Sequence, residues 1–346
     1  MKLKKMILEG LATVVVLLTL TSATKEKTVT VFMIGDSTMA NKDISHDRKE
    51  RGWGMALQCY FSDQVRIENH AVNGRSSKSF IDEGRWQTVV DRIKPGDYVI
   101  IQFGHNDEKP KADRHTDPGS TFDYNIARFI RETREKGGIP IVMNCVVRRN
   151  FGTSNASKGG EPTGTKIDDE ALRTATPSSE GTGEAPGDSL IDTHGLYRVA
   201  PRDVAERMNA FFVDANQLTH DLEQGLGREA SKKLHMWFLP GEEPSVPGGR
   251  QDNTHYNVHG AQVVARLLAD AICEEVPVLA PFRVNADLTV DKKGRGDYMS
   301  LQQALESVDP LKPCKIQILG GEWQRPQLPK KSKVEFILRE GATFKN

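Results

Sequence analysis

The sequence predicts an open α/β fold, a parallel sheet covered by helices on both faces. Apolar segments at 28–34, 65–71, 97–103, 139–147 and 211–215 read as strands. Helical patterns at 122–136, 201–209, 217–226 and 258–274 alternate with them. Strands that are nearly all apolar need cover on both faces, and intervening helices supply it through parallel crossovers. Polar clusters also follow the first three strands directly, which is where open α/β sheets bind their ligands.

The elements can be justified in order. Residues 1–24 read as a secretory signal. Lys2, Lys4 and Lys5 precede an apolar stretch from Leu11 to Leu20, and Thr21-Ser22-Ala23 offers small residues for cleavage. About ten apolar residues are too few to span a bilayer, which needs about 20. Glu9 cuts the stretch short, and a retained anchor is the alternative reading. No Cys follows the apolar run, which speaks against a lipid anchor. The expected location is therefore secreted or periplasmic, with no membrane partner once the signal is removed.

The first strand, Val29-Thr-Val-Phe-Met-Ile, ends in Gly35-Asp36-Ser37-Thr38 and leaves the Ser37 hydroxyl at the carboxyl edge of the sheet. Gly, Asp and Ser are ordinary turn residues, so Ser37 alone carries little. Three later clusters give it weight: Asn73-Gly74 after the second strand, Gly104-His-Asn-Asp after the third, and Asp252-Asn-Thr-His before the last helix. Ester hydrolysis needs a nucleophile, a base, a group orienting that base, and donors for the developing oxyanion. Ser37 fits the nucleophile and His255 the base, with Asp252 folding back in a loop onto the imidazole. The backbone N–H groups of Ser37 and Gly74 and the Asn106 amide fit the donors. At Gly74 a missing Cβ allows close backbone approach.

Residues 151–188, rich in Gly, Ser, Thr and Pro, read as a long insertion loop, either a tolerated insertion or a lid. The last helix carries Val263, Val264, Leu267, Leu268, Ala271 and Ile272 as a stripe for the sheet. Residues 276–284, with two prolines, read as a linker. Beyond it 286–291, 315–319 and 334–338 read as strands and 300–308 as a short helix.

The 346 residues can hold one large domain or two. The 47 basic and 47 acidic residues cancel, which speaks against a nucleic-acid partner. Cys59, Cys145, Cys273 and Cys314 form neither a disulfide framework nor a zinc ribbon; they read as core residues, with a disulfide left open. His255 and His259 are spaced like two zinc ligands, but no Glu follows His255 and a helix start at 257–258 separates the pair. No metal ligand is assigned. Trp53 and Trp86 read as packing residues.

The four clusters in this order resemble the SGNH, or GDSL-type, hydrolase superfamily, although Thr38 stands where many members have Leu. In detail, Ile34-Gly-Asp-Ser-Thr-Met-Ala, Gly52-Trp-Gly, Asn69-His-Ala-Val-Asn-Gly-Arg-Ser-Ser, Gly104-His-Asn-Asp and Asp252-Asn-Thr-His-Tyr are similar to rhamnogalacturonan acetylesterases. The resemblance covers residues 28–275. It implies a three-layer, flavodoxin-like fold and deacetylation of pectic polysaccharide or oligosaccharide without a cofactor. It makes Ser37, Asp252 and His255 the catalytic set, with Gly74 and Asn106 in the oxyanion hole. Arg75, next to Gly74, is a candidate for a uronate carboxylate, and His105 a candidate for substrate contact.

Residues 285–346 resemble the opening turns of a pectin methylesterase, through Leu288-Thr-Val-Asp-Lys-Lys-Gly-Arg-Gly-Asp-Tyr, Leu301-Gln-Gln-Ala-Leu and Ile316-Gln-Ile-Leu-Gly-Gly-Glu-Trp. That implies the first coils of a right-handed parallel β-helix. No second active site carries over, because the matching catalytic residues would lie further along. A few coils bury little alone, so this piece is expected to dock on the esterase part or to be poorly ordered, in a two-domain enzyme cut short. Two other functions compete with the leading one. A lipase or thioesterase would use the same triad on acyl chains, and a catalytically weak carbohydrate-binding protein would keep the fold without turnover.

Overall fold

The computed structural model describes residues 28–152 and 187–345. The expected signal and most of the expected insertion loop lie outside the described residues. The elements run β1 (Val29–Gly35), β2 (Glu50–Arg51), α1 (Trp53–Ala56), β3 (Val65–Asn69), α2 (Ser77–Asp82), α3 (Arg85–Val90), β4 (Tyr98–Gln102), α4 (Thr121–Glu135), β5 (Ile139–Met143) and β6 (Phe151–Gly152). They continue with β7 (Ser189–Leu190), α5 (Leu196–Arg207), β8 (Phe211–Val213), α6 (Ala215–Ser231), β9 (His235–Phe238), β10 (Arg250–Asn257) and α7 (Val258–Glu275).

The central sheet has the order β3-β1-β4-β5-β8, and every pairing in it is parallel. Counted among these five strands alone, that is the 2-1-3-4-5 order of doubly wound flavodoxin-like folds, whose ligand site lies where the order reverses beside the first strand. Alternation along β1 explains the three layers. Val31 and Met33 join an apolar cluster with Trp53, Val264 and Leu268, whereas Phe32 and Ile34 join another with Phe80, Trp86, Ile126 and Val204. One face is thus covered by α1 and α7 and the other by α2, α3, α4 and α5. Each such fully buried side chain contributes about 1.5–3 kcal/mol.

Trp53 and Trp86 are buried, as expected of packing residues. Gly52 has a specific reason to be glycine: a Cβ there would lie 2.2 Å from the Ala40 carbonyl oxygen. The Trp53 N–H donates to the Thr38 carbonyl at 2.9 Å. Gly52-Trp-Gly is therefore the seat for the loop that follows Ser37.

Two expectations need correction. The helix expected from Pro201 begins at Leu196, with Pro201 inside it. Pro fits a first turn well, and that made it a misleading start signal. Asp252 and His255, expected in a loop, lie on β10, which pairs antiparallel with β2 and β9. The ladder shifts register between Gln251 and Tyr256, so the four-residue cluster sits in an irregular stretch of that strand. Such irregularities re-aim side chains beside active sites.

The two prolines of 276–284 fall in a short 3-10 turn, Pro277–Phe282, with Leu279 buried. Beyond it come β11 (Leu288–Val290), α8 (Leu301–Glu306), β12 (Cys314–Ile318), β13 (Gly321–Gln324), β14 (Val334–Leu338) and β15 (Ala342–Lys345). They form two small parallel sheets, β11-β12-β14 and β13-β15, around an apolar cluster that includes Val290, Ile316, Ile318 and Trp323. This piece is docked. Arg339 donates to Asp63 at 2.9 and 3.0 Å and to the Phe61 carbonyl at 2.6 Å, and the Gln317 amide donates to the Cys59 carbonyl at 2.8 Å. All four cysteines are free.

Candidate active site

The loop that carries Ser37, the candidate nucleophile, begins where β1 ends. Asp36 turns the chain: its Oδ1 accepts from the Thr38 N–H at 2.9 Å and the Thr38 hydroxyl at 2.8 Å. Every residue from Val31 to Ala40 is buried except Ser37, which is half-buried. The loop thus presents one hydroxyl and hides its scaffold. Burial raises the Asp36 carboxyl despite those bonds, and its Oδ2 finds no partner among the described residues.

β10 carries the candidate base, His255. The Ser37 hydroxyl lies 2.9 Å from His255 Nε2, and His255 Nδ1 lies 2.8 Å from Asp252 Oδ2. The other Asp252 oxygen accepts the N–H groups of Thr254 at 2.8 Å and His255 at 2.9 Å. This tight turn orients the carboxylate toward the imidazole. Burial works to raise the Asp252 carboxyl. The hydrogen bond from His255, attraction to its ring and the two backbone donors outweigh burial and hold it well below the usual range. The turn is anchored through Asn253, whose Oδ1 accepts from Arg149 at 3.0 Å and from the Trp237 indole at 2.8 Å. Asn257 then caps α7 by accepting the Gly260 N–H at 2.9 Å, which stops the strand two residues past His255.

The donor loops flank β1. Gly74 follows β3 and Asn106 follows β4, the two strands paired with β1. Gly74 has φ +73°, and a Cβ there would meet only an Arg114 nitrogen at 3.8 Å. Backbone conformation, rather than crowding, therefore calls for glycine. The buried Asn106 amide donates to the Arg75 carbonyl at 3.2 Å, leaving its second hydrogen for another acceptor. Asp107 ties the same loops together by accepting from the Ser77 N–H at 3.0 Å, the Ser77 hydroxyl at 2.5 Å and the Thr116 hydroxyl at 2.8 Å. Burial pushes the Asp107 carboxyl up to about 7.

Not every candidate ends in the same setting. Arg75 donates from Nε to Glu83 at 3.0 Å and from NH1 to the Asn73 carbonyl at 3.0 Å, so Glu83 already neutralises it. His105 is only 3% exposed and packs edge-on against His194, with centroids 4.5 Å apart. Burial and the neighbouring His194 and Arg148 hold it well below the usual histidine range, and neither ring nitrogen finds a partner among the described residues. His259 is exposed on α7, while His255 Nε2 faces Ser37. Among the described residues no cluster of three or more His, Cys, Asp or Glu could hold a metal.

Sequence reasoning missed two features. Glu108 forms a buried pair with Arg148 and accepts from His194 at 3.0 Å; all three are polar residues in unremarkable local sequence. The other is Arg250, whose guanidinium reaches Asp252 at 2.5 Å and Glu50 at 2.6 Å. Its proximity to Asp252 in sequence was the available signal; Glu50, 200 residues away, offered none.

Comparison with known proteins shows the family to which the chain belongs. The model of the GDSL-like Lipase/Acylhydrolase family matches residues 33–263. Rhamnogalacturonan acetylesterase RhgT of Bacillus subtilis is 36% identical over 72% of this chain and 91% of its own length. A probable rhamnogalacturonan acetylesterase of the same organism, YesY, is 27% identical over 70% of this chain and 92% of its own length. The solved structure of Bacillus subtilis YXIM superposes with a TM-score of 0.54 at 23% identity, over 72% of this chain and 58% of that one, a likeness of fold.

Proposed function

The chain belongs to the GDSL-like lipase/acylhydrolase family and is a carboxylic ester hydrolase, and from that premise we propose a secreted serine esterase that removes acetyl groups from the rhamnogalacturonan backbone of pectin. The observation that carries the mechanism is the unbroken line from the Ser37 hydroxyl through His255 to Asp252, with contacts of 2.9 and 2.8 Å.

In this reading the Ser37 oxygen attacks the acetyl carbonyl carbon while His255 Nε2 takes the hydroxyl proton. Asp252 holds the tautomer that makes this transfer possible and stabilises the imidazolium that results. The carbonyl oxygen becomes an oxyanion received by the N–H groups of Ser37 and Gly74 and by the Asn106 amide. Collapse breaks the bond to the sugar oxygen, which leaves with the proton from His255. Water, deprotonated by His255, then attacks the acetyl-Ser37 carbon, and acetate departs as Ser37 regains its proton. Nothing in this sequence requires a metal or a cofactor.

The pectic substrate rests on the named relatives and on the accessible polar residues that flank Gly74, namely Asn73 and Arg75, which suit a sugar better than an acyl chain. Acetate release from acetylated rhamnogalacturonan set beside acetylated xylan tests it. Equal release from both removes the pectic assignment, and faster hydrolysis of p-nitrophenyl octanoate than of the acetate favours the lipase alternative. Hydrolysis equally slow in wild type and in a Ser37→Ala variant favours the binding-protein alternative. Secretion rests on the basic head and apolar core of residues 1–24. Amino-terminal sequencing of protein recovered outside the cytoplasm tests that part.

A further inference from the structure

Asp252 is held from two sides. Its Oδ2 accepts from His255 and, at 2.5 Å, from Arg250, whose other terminal nitrogen donates to Glu50 at 2.6 Å. The second Glu50 oxygen meets Lys42 Nζ at 2.8 Å, and the same ammonium donates to Asn73 Oδ1 at 2.7 Å. Asn73 directly precedes Gly74. One run of charge-assisted contacts therefore leaves the carboxylate behind the base and ends on the loop that carries an oxyanion donor. The backbone supports it: β2 pairs with β10 so that Glu50 lies opposite Asn257.

We propose that Arg250, Glu50 and Lys42 are positioning residues that hold the Asp252 carboxylate and the Asn73–Gly74 loop in one alignment, so that base and oxyanion donors face the same acyl carbon. This rests on the esterase reading above.

Isolated surface ion pairs are usually worth little. These differ in being consecutive, in joining three separate chain segments, and in their shelter. The Lys42 side chain is 5% exposed and Asp252 17%. Burial works to raise the Glu50 carboxyl, but Lys42, His255 and Arg250 together outweigh it and lower that carboxyl; Asp252 and Glu50 likewise raise the Arg250 guanidinium against burial. A shift of 1 Å in a reacting group can cost about a hundredfold in rate.

The titratable groups that act on His255 are Asp252 from its own strand, Glu50 from β2, Asp36 from the loop after β1 and His105 from the loop after β4, while Arg250 shares the Asp252 oxygen with it. Removing charges from the chain must therefore move the acidic limb of kcat/KM with opposite signs. Loss of the Arg250 cation favours the imidazolium and shifts the limb to higher pH, whereas loss of the Glu50 anion shifts it to lower pH.

The experiment is p-nitrophenyl acetate hydrolysis from pH 5 to 9 by the full chain and by R250Q, R250K, E50Q, K42M and the E50Q/R250Q pair, with S37A as control. The proposal expects kcat to fall about ten- to a hundredfold in R250Q with KM little changed, and R250K to recover part of the loss. K42M, acting through the Gly74 loop, should lose about tenfold. The limb should move up in R250Q, down in E50Q, and back toward wild type in the pair. If R250Q does not fold, E50Q and K42M carry the same readings. Variants within twofold of a Ser37-dependent wild type, or uniform losses with an unmoved limb, overturn the proposal. A wild type with no Ser37-dependent hydrolysis overturns the esterase reading instead.

Discussion

The two ends of this molecule are both built from parallel strands, and only one of them gathers reactive groups. In the central sheet each strand is followed by a loop and a helix, so the carboxyl ends of neighbouring strands bring Ser37, Gly74 and Asn106 to one rim. In the carboxyl-terminal piece β11, β12 and β14 pair in parallel through connections that hold one short helix and β13, and their side chains fill a small apolar cluster. A cavity of about 660 Å³ lies in that piece, lined by Met299, Leu305, Trp323 and Pro326. It contains none of the proposed catalytic residues. Size of a cavity is thus a poorer guide here than convergence of a hydroxyl, an imidazole and a carboxylate.

The contrast predicts that substitutions at the rim remove activity and spare stability. Ser37→Ala and His255→Ala should each cost roughly 10⁴–10⁶ in kcat, and the double variant little more, because the two act as a unit. Acetate release alongside thermal unfolding checks both halves; a Ser37→Ala enzyme that retains a tenth of its rate breaks the comparison at once. Asn106→Ala should cost about 10²–10³ in kcat, the usual effect of losing one oxyanion donor. A change confined to KM would instead make Asn106 a contact of the ground state.

Much of the rim was legible in the sequence because it is local. Asp36-Ser37 follow a strand in which five of the seven residues are buried, and such strands announce themselves by apolarity. The expected strand at 334–338 and β14 also coincide, on the β-branched and aromatic residues that flank Glu335. β10 was not legible: Arg-Gln-Asp-Asn-Thr-His-Tyr-Asn alternates no apolar residues, because its partners β2 and β9 cover it only in part. Helices α2 and α3, six residues each, are too short to show a period. The tie from Arg250 to Glu50 and the docking of Arg339 on Asp63 span 200 and 276 residues, and no local pattern encodes them.

At the junction the contrast predicts the reverse of the rim. Arg339 donates to Asp63, to the Phe61 carbonyl and, at 2.8 Å, to Gln317, binding the carboxyl-terminal piece to the segment after α1. Arg339→Ala removes these bonds and should cost about 1–3 kcal/mol, with Asp63 partly hydrated and so only partly penalised. Turnover should stay within about twofold, since nothing at this junction touches Ser37. Chemical denaturation and p-nitrophenyl acetate kinetics on the same sample decide it. A tenfold loss of kcat would make the two regions one functional unit.

The last effect concerns the cost of assembling the rim. Asp107 joins the Gly74 and Asn106 loops, and burial pushes its carboxyl up to about 7 from the ordinary 3.8. Because the folded value lies above the unfolded one, the unfolded chain releases this proton first as pH rises. Stability from this group is full below about pH 4, declines between about 4 and 7, and is level above that; the limiting slope is about 1.4 kcal/mol per pH unit. Asp107→Asn does not titrate, so its stability should fall less steeply with pH than that of the wild type over this interval. The absolute offset between the two has no fixed sign. An amide relieves the buried charge at high pH, but with its oxygen accepting the Ser77 and Thr116 hydroxyls its NH₂ faces the Ser77 N–H that the other carboxylate oxygen accepts. The slope difference is therefore the informative quantity, read from denaturation midpoints at pH 4, 5.5, 7 and 8. Parallel curves for the two proteins would mean that the rim is assembled without ionisation strain at Asp107, and that its loops are tied as cheaply as the coils at the other end of the molecule.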